Sequence, residues 1–254
     1  MRDMVIYGLG ELGRLYGSAG LRAGMRVTPI VRGSDPARVL AGLPADVPIL
    51  VAVGEAALEE VLASLPRERA RDVILLQNDL FPSRWRKHQL EPTVLVAWLL
   101  KKPGTPLTIA RSSPVYGRHA ALMLALNEVL GVPSSPLATE AELHQALVAK
   151  YAFILGINAL GLLRDRTLAG WMQEDPLRVF ALTGEAARLG AALCECPLEG
   201  PACERVVEEA LRGLGVMSAR GRTAAQRVRR ALTQAEALGI AMPELGRAAR
   251  EAAA

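Results

Sequence analysis

Two groups of residues in this sequence have types and spacings suited to chemistry. Gly8, Gly10 and Gly13 fall in a G-x-G-x-x-G pattern, with Leu9, Glu11 and Leu12 between them. Lys150 and Asn158 lie within the long apolar stretch ATEAELHQALVAKYAFILGINALGLL. Glycines at that spacing permit a tight turn, a close backbone approach to a pyrophosphate, and close packing of helix on strand. A lysine in an apolar helix is costly to bury unless it gains a partner or gives up its proton more easily. An amine that can titrate near neutral pH can act as a general acid beside a carbonyl, which an arginine cannot do. Only four of the thirty basic residues are lysines, namely Lys87, Lys101, Lys102 and Lys150.

The glycine pattern is informative because of what surrounds it. Met4–Tyr7 reads as a buried strand, and Leu12, Leu15, Tyr16, Ala19 and Leu21 suit the helix that follows. Gly24 suits its C-terminal cap, and Val27–Val31 reads as a second strand. Strand, turn, helix and strand in that order predict a dinucleotide-binding βαβ unit, with phosphates at the helix N-terminus. Cofactor contacts are expected from Gly8, Leu9, Gly10, Glu11, Leu12 and Gly13. Enzymes that use NAD carry an acid at the end of the second strand, on the ribose 2′-hydroxyl. This chain has Arg32 there, and a guanidinium can hold a 2′-phosphate by two charge-assisted bonds. NADP is therefore the expected cofactor, against the alternative that Arg32 is one more solvated arginine. Pro29 lacks the N–H that a central strand needs, so the second strand should be an edge strand or be interrupted.

Further strand-and-helix units are predicted at Ile49–Val53 with Ala56–Leu65, and at Val73–Leu76. The latter ends in Gln77-Asn78-Asp79. Ligands of open parallel sheets sit off the carboxyl ends of the strands. Asn78 there either orients a nicotinamide ribose or a substrate hydroxyl, or satisfies its own turn. The segment TVLVAWLLKKPGTPLTIARSSPVYG predicts an antiparallel hairpin at one side of the sheet, turning at Lys102-Pro103-Gly104. Ala120–Leu130 reads as a helix ended by Gly131, and GVPSSPL as a loop. Thr139 and Glu142 fit a capping box at the start of the apolar helix. Each four-residue step advances about 40° around a helix, so Lys150 and Asn158 can face one cleft. The alternatives are a lysine that snorkels to the surface and an asparagine satisfied within a helical bundle. Helices are then predicted at Pro176–Leu193, Ala202–Leu214 and Thr223–Leu238, with a fraying tail at Ala248–Ala254.

Composition limits the function classes. The chain has 254 residues, 51% hydrophobic and 22% charged, with net charge +4, as in a globular protein rather than a disordered one. Cys194, Cys196 and Cys203 have no histidine beside them and read as small buried side chains, so no metal is expected. The basic cluster RGRTAAQRVRR has no interleaved aromatics, so it reads as a solvated helix face and no nucleic-acid partner is expected. The apolar run at Met4–Tyr7 meets glycine at once, unlike a signal peptide. No uninterrupted apolar run reaches the ~18 residues of a membrane helix, so no membrane partner is expected and the cytoplasm is the expected location.

These residues resemble ketopantoate reductase, the NADPH-dependent family of pantothenate biosynthesis, over nearly the whole chain. The likeness lies in the glycine turn, Val31-Arg32, ILLQND, AKYAFILGIN and the C-terminal AEALGIAMPE. AKYAFILGIN is similar to the family's Lys-x-x-x-Asn-x-x-x-Asn helix. The resemblance implies an α/β fold, a Rossmann-type nucleotide-binding domain followed by an all-α domain, divided here as residues 1–136 and 137–254. It implies that Lys150 is the general acid and that Asn78 and Asn158 place substrate and nicotinamide. The sequence departs from the family in four places. The family's middle helix asparagine falls on Ile154, and its lysine after the third strand on Gly54. No acid matches the family's C-terminal Thr-Glu, although Ser218 and Thr223 lie nearby. The segment between Arg32 and Ile49 is short, as if a sheet strand were missing, which would leave the second strand at the edge. The cofactor half and the acid are thus retained, while the parts that recognise pantoate are eroded.

The expected function is NADPH-dependent reduction of a 2-keto acid to a 2-hydroxy acid. The alternatives are a catalytically impaired NADP-binding sensor or scaffold, and a reductase of imines or other carbonyls. The apolar helix is to be covered by its own chain or by a second copy in a homodimer.

Overall fold

The structure, a computed structural model, describes residues 2–219, 221 and 223–252. Arg220 and Arg222 of the basic cluster, and the tail residues Ala253 and Ala254, lie outside the described residues. The chain forms two compact units, Met1–Leu143 and His144–Ala254.

The first unit opens with β1 (Asp3–Tyr7), α1 (Glu11–Arg22), β2 (Arg26–Ile30), α2 (Pro36–Ala41), β3 (Ile49–Val51), α3 (Glu55–Ser64) and β4 (Val73–Leu75). It continues with α4 (Pro82–Arg86), β5 (Thr93–Leu95), β6 (Leu99–Leu100), β7 (Thr108–Ile109), β8 (Ser113–Tyr116), α5 (Ala120–Leu130) and β9 (Ser134–Pro136). The main sheet runs β2-β1-β3-β4-β5-β8-β9. Its first five strands are parallel, β8 is antiparallel to β5, and β9 is parallel to β8. β1, β3, β4 and β5 are short and almost wholly buried, as strands covered on both faces must be. On one face Met4, Ile6, Leu50, Ile74 and Leu95 pack with Tyr16 and Ala19 of α1 and Met123 and Leu126 of α5. The Tyr16 hydroxyl donates to Asn127 Oδ1 at 2.8 Å, tying α1 to α5, and burial pushes its phenol well above the ordinary value.

β2 is the edge strand, with Pro29 exposed and paired in register with Ile6. In place of a further strand the chain makes only the short α2 before β3. Two expectations need correction. The predicted hairpin exists, but as a separate ribbon of β6 and β7, while β5 and β8 belong to the main sheet. GVPSSPL is not all loop, because Ser134–Pro136 forms β9, an edge strand where proline is tolerated.

His119 stands at the start of α5. Its backbone N–H donates to Thr93 Oγ1 at 2.8 Å. Its Nε2 is buried without a hydrogen bond to the described residues, 4.0 Å from Asp72 Oδ1. Burial holds the imidazole below its ordinary 6.5, against the opposing pull of Asp72. As pH falls, the unfolded chain therefore takes up this proton first. Stability present above about pH 6.5 is lost toward the folded-state value, by at most about 1.4 kcal/mol per pH unit. The buried Asp72 carboxyl is itself pushed up by desolvation, which acts in the opposite sense. Melts of the wild type and His119→Gln between about pH 7.5 and 5 isolate the imidazole, and the variant should lose this slope.

The second unit holds most of α6 (Glu140–Leu163), then α7 (Leu168–Glu174), α8 (Pro176–Leu193), α9 (Gly200–Gly213), α10 (Ala224–Ala237) and α11 (Pro243–Glu251). The Thr139 half of the capping box at α6 forms, while the glutamate reaches one residue further back than a capping box requires. Glu142 N–H donates to Thr139 Oγ1 at 3.2 Å, and Glu142 Oε2 accepts from Ala138 N at 2.7 Å. By length and composition α6 could cross a membrane, but 67% of its most apolar window is buried inside the protein. It packs closely on α8. A Cβ at Gly156 would lie 2.5 Å from Thr183 Cγ2, and one at Gly190 would lie 3.0 Å from Tyr151 Cδ1.

The tail is more ordered than expected through Glu251. Leu245 and Ala248 of α11 are fully buried, and Glu185 accepts from the N–H groups of Glu244 and Leu245, each at 2.9 Å. A buried carboxylate thus caps α11, placing negative charge at the positive end of the helix dipole. Cys194 and Cys203 are buried and Cys196 half-buried. Burial pushes the Cys203 thiol up to about 11, so it has little thiolate character.

Candidate active site

In the first unit the site is built at the carboxyl edge of the parallel strands. The chain runs from β1 outward to β2 and then back across to β3, so the switch point lies between β1 and β3, where open sheets hold ligands. The strand ends are laced together there. Gly8 N donates to Ile30 O at 2.9 Å, and Ala52 N to Tyr7 O at 2.8 Å.

The three glycines have different physical reasons. Gly8 has φ +95°, and a Cβ there would lie 2.8 Å from Val53 Cγ1. A Cβ at Gly13 would lie 1.9 Å from Gly8 O, so α1 can start here only if residue 13 has no side chain. Gly10 is different, because a Cβ there would meet nothing closer than Ala52 O at 4.0 Å. The fold therefore demands the outer two, whereas the middle one leaves room for something outside the chain. Among the described residues no side chain caps α1, so its first N–H groups have no side-chain acceptor there. Arg14 Nε donates to Leu9 O at 3.0 Å and clamps the turn. Gly10 is exposed and Leu9 is 36% exposed. Glu11 and Leu12 form the first turn of α1.

Arg32 lies in the tight turn after β2. Ser34 closes that turn, its Oγ accepting from Val31 N at 3.1 Å and its N–H donating to Val31 O at 2.9 Å. Arg32 is exposed and forms no hydrogen bond or ion pair with the described residues. Asn78 follows β4, half-buried and likewise without a hydrogen bond to the described residues. Asp79 next to it has φ +51°.

Sequence reasoning gave Gln77 no role. Its Nε2 donates to Val51 O at 2.6 Å and its Oε1 accepts from Leu76 N at 3.1 Å. It clips the ends of β3 and β4 together and so positions Asn78. The only sequence signal is a polar residue directly after the apolar run ILL. Gly54, where the resemblance would put a lysine, is the N-cap residue of α3 with open space around it.

The second unit presents Lys150 and Asn158 on α6. Lys150 is half-buried, flanked by buried Ala149 and Tyr151. Asn158 is 4% exposed. Its Nδ2 donates to Ile154 O at 2.6 Å, and its Oδ1 accepts from Arg227 Nη1 at 3.0 Å. The solvated helix face expected for the basic cluster therefore fails at Arg227. This residue lies on the inner face of α10 with Ala224, Val228, Ala231 and Ala235. Ser218 donates to Asp165 Oδ1 at 2.7 Å, and Thr223 is the residue before α10.

No family model and no curated protein matches the chain. Solved structures do, over nearly their full length. A ketopantoate reductase family protein from Ralstonia eutropha JMP134 superposes with a TM-score of 0.68 at 17% identity, covering 98% of this chain and 97% of the other. The chain has the ketopantoate reductase fold. 2-Dehydropantoate 2-reductase from Geobacter metallireducens GS-15 has this fold at a TM-score of 0.68 and 20% identity, with 98% of each chain covered. D-mandelate dehydrogenase in complex with NADH matches at a TM-score of 0.69 and 16% identity, over 98% and 97% of the two chains.

Proposed function

We propose that the protein is an NADPH-dependent reductase that converts a 2-keto acid to a 2-hydroxy acid. The observation that carries this reading is the glycine turn, whose outer glycines are forced by contacts while the middle one faces open space. The N–H groups at the start of α1 would hold the pyrophosphate, Arg32 the 2′-phosphate, and Asn78 the nicotinamide ribose or the substrate. When bound, NADPH supplies a hydride to the carbonyl carbon. Lys150, as the ammonium, gives its proton to the carbonyl oxygen as the alkoxide develops and is left as the neutral amine, to be reprotonated from solvent. Asn158 would orient the substrate through the amide proton and lone pair left beyond its bonds to Ile154 and Arg227. Related folds have been solved with NADH and anilino(oxo)acetate bound, in a D-mandelate dehydrogenase, and one ketopantoate reductase, from Staphylococcus aureus, is dimeric. By analogy, a homodimer is proposed here as well.

The test is NADPH consumption over a panel of 2-keto acids, with NADH run in parallel. Arg32→Ala should weaken NADPH binding roughly ten- to a hundredfold, the loss of charge-assisted bonds to one phosphate, and leave NADH nearly unchanged. Equal losses for both cofactors would remove Arg32 from the 2′-phosphate site.

A second reading, an NADP-binding sensor or scaffold with little turnover, is favoured by one observation. The Asn158 amide already serves Arg227 and Ile154 within the second unit. NADPH binding without consumption on any keto acid or imine would establish it.

A further inference from the structure

The β6–β7 ribbon stands apart from the main sheet, joined within itself by Leu99 opposite Ile109 and Leu100 opposite Thr108. Its root is firmly held. Trp98 N donates to Ser113 Oγ at 2.9 Å, Ala110 N donates to Trp98 O at 2.8 Å, and the Arg111 guanidinium sits 5.4 Å from the Trp98 ring centre. Its tip is organised around one ammonium. Lys101 Nζ donates to Lys102 O at 3.1 Å and to Thr105 O at 2.6 Å, closing the turn that Gly104 makes at φ +71°. The same nitrogen lies 3.6 Å from Glu11 Oε2, and Glu11 is the first residue of α1.

A lysine in a separate ribbon is thus stationed at the end of the glycine turn. Lys101 and Glu11 are both partly open to solvent, with side chains 23% and 32% exposed. A pair of that kind is weak, because solvent screens it. Glu11 also occupies the positive end of the α1 dipole, which favours any anion placed there. A pyrophosphate bound on the first N–H groups of α1 would bring two negative charges to the place where Glu11 offers one. The ammonium would then gain more from the phosphates than from the carboxylate.

We infer that Lys101 is a cofactor-binding residue, and that the β6–β7 ribbon straps a bound dinucleotide by passing this ammonium from Glu11 to the pyrophosphate. The inference rests on the proposed dinucleotide reading of the glycine turn. It assigns the ligand class by chemistry, a diphosphate diester, and it is independent of the 2′-phosphate that Arg32 would hold.

The experiment measures dissociation constants for NADPH and for 2′-AMP, which has the 2′-phosphate but no pyrophosphate. The proteins are wild type, Lys101→Gln, Lys101→Arg and Glu11→Gln, with melting temperatures taken alongside. Gln can still donate to the turn carbonyls, so Lys101→Gln tests the charge. Its NADPH constant should rise about tenfold, the loss of one phosphate-directed charge, while that for 2′-AMP stays the same. Lys101→Arg should retain wild-type affinity. Glu11→Gln, which removes the competing carboxylate and leaves the ribbon untouched, should bind NADPH more tightly. NADPH constants that stay within twofold in both Lys101→Gln and Glu11→Gln overturn the inference, as does an equal loss of 2′-AMP in Lys101→Gln. A wild type that binds 2′-AMP and NADPH not at all overturns the dinucleotide reading itself, a failure distinct from an unresponsive Lys101.

Discussion

Lys150→Ala should lower turnover of 2-keto acids about 10²–10⁴-fold and leave the dissociation constant of NADPH unchanged, the span expected when a positioned general acid is removed. The split between the two measurements matters. The residues proposed to hold the cofactor belong to the turn after β1, the start of α1, the turn after β2, the end of β4 and the β6–β7 ribbon, whereas Lys150 belongs to α6. An amine that only snorkels from an apolar helix would cost stability when truncated but no chemistry. Lys150→Arg sharpens the test. A guanidinium keeps the charge and much of the length, yet does not release a proton at neutral pH, so turnover should not return. Stopped-flow measurement of hydride transfer, beside equilibrium titration of NADPH, reads both quantities. If Lys150→Arg reduces keto acids at the wild-type rate, Lys150 is not the proton donor.

The second large effect belongs to Gly13. Gly13→Ala places a methyl 1.9 Å from a backbone oxygen, that of Gly8, which cannot rotate away. The start of α1 must shift, or the first unit fails to fold. A cost above about 3 kcal/mol is expected, beyond ordinary overpacking, because backbone meets backbone. Gly10→Ala is the matched control, since its nearest neighbour would be 4.0 Å away. It should melt like the wild type and bind NADPH at least tenfold more weakly, if the open space is where the pyrophosphate approaches. Thermal melts and nucleotide titration of the two variants separate a glycine the fold needs from one the ligand needs. Equal NADPH affinity in Gly10→Ala and the wild type would remove the cofactor from this turn.

Short-range signals explain what was legible. The order strand, glycine turn, helix, strand is local, so β1, α1 and β2 follow from residues 4–31. Pro29 and the short segment before Ile49 led to an edge position for β2, because a missing N–H has consequences wherever the strand pairs. Gly131, at φ +68°, ends α5 as expected, since a left-handed cap is a property of one residue. Partners distant in sequence were not legible. β9 is a strand only because β8 lies beside it, and nothing in GVPSSPL specifies that neighbour. α11 is ordered through Glu251 because Glu185 caps it and Arg178 pairs with Glu251 at 2.7 Å.

The candidate site divides in the same way. The amino-acid sequence by itself determined the glycine turn, the arginine that follows β2 in place of an acid, the Thr139 cap of α6 and the lysine within that apolar helix. Each depends on residue type and spacing along a few turns of chain. Only the tertiary structure decided that Gln77 clips β3 to β4, that Arg227 turns inward to Asn158, and that Lys101 reaches Glu11. The physical reason is that a hydrogen bond or ion pair is set by separation in space, and folding alone brings together groups tens of residues apart.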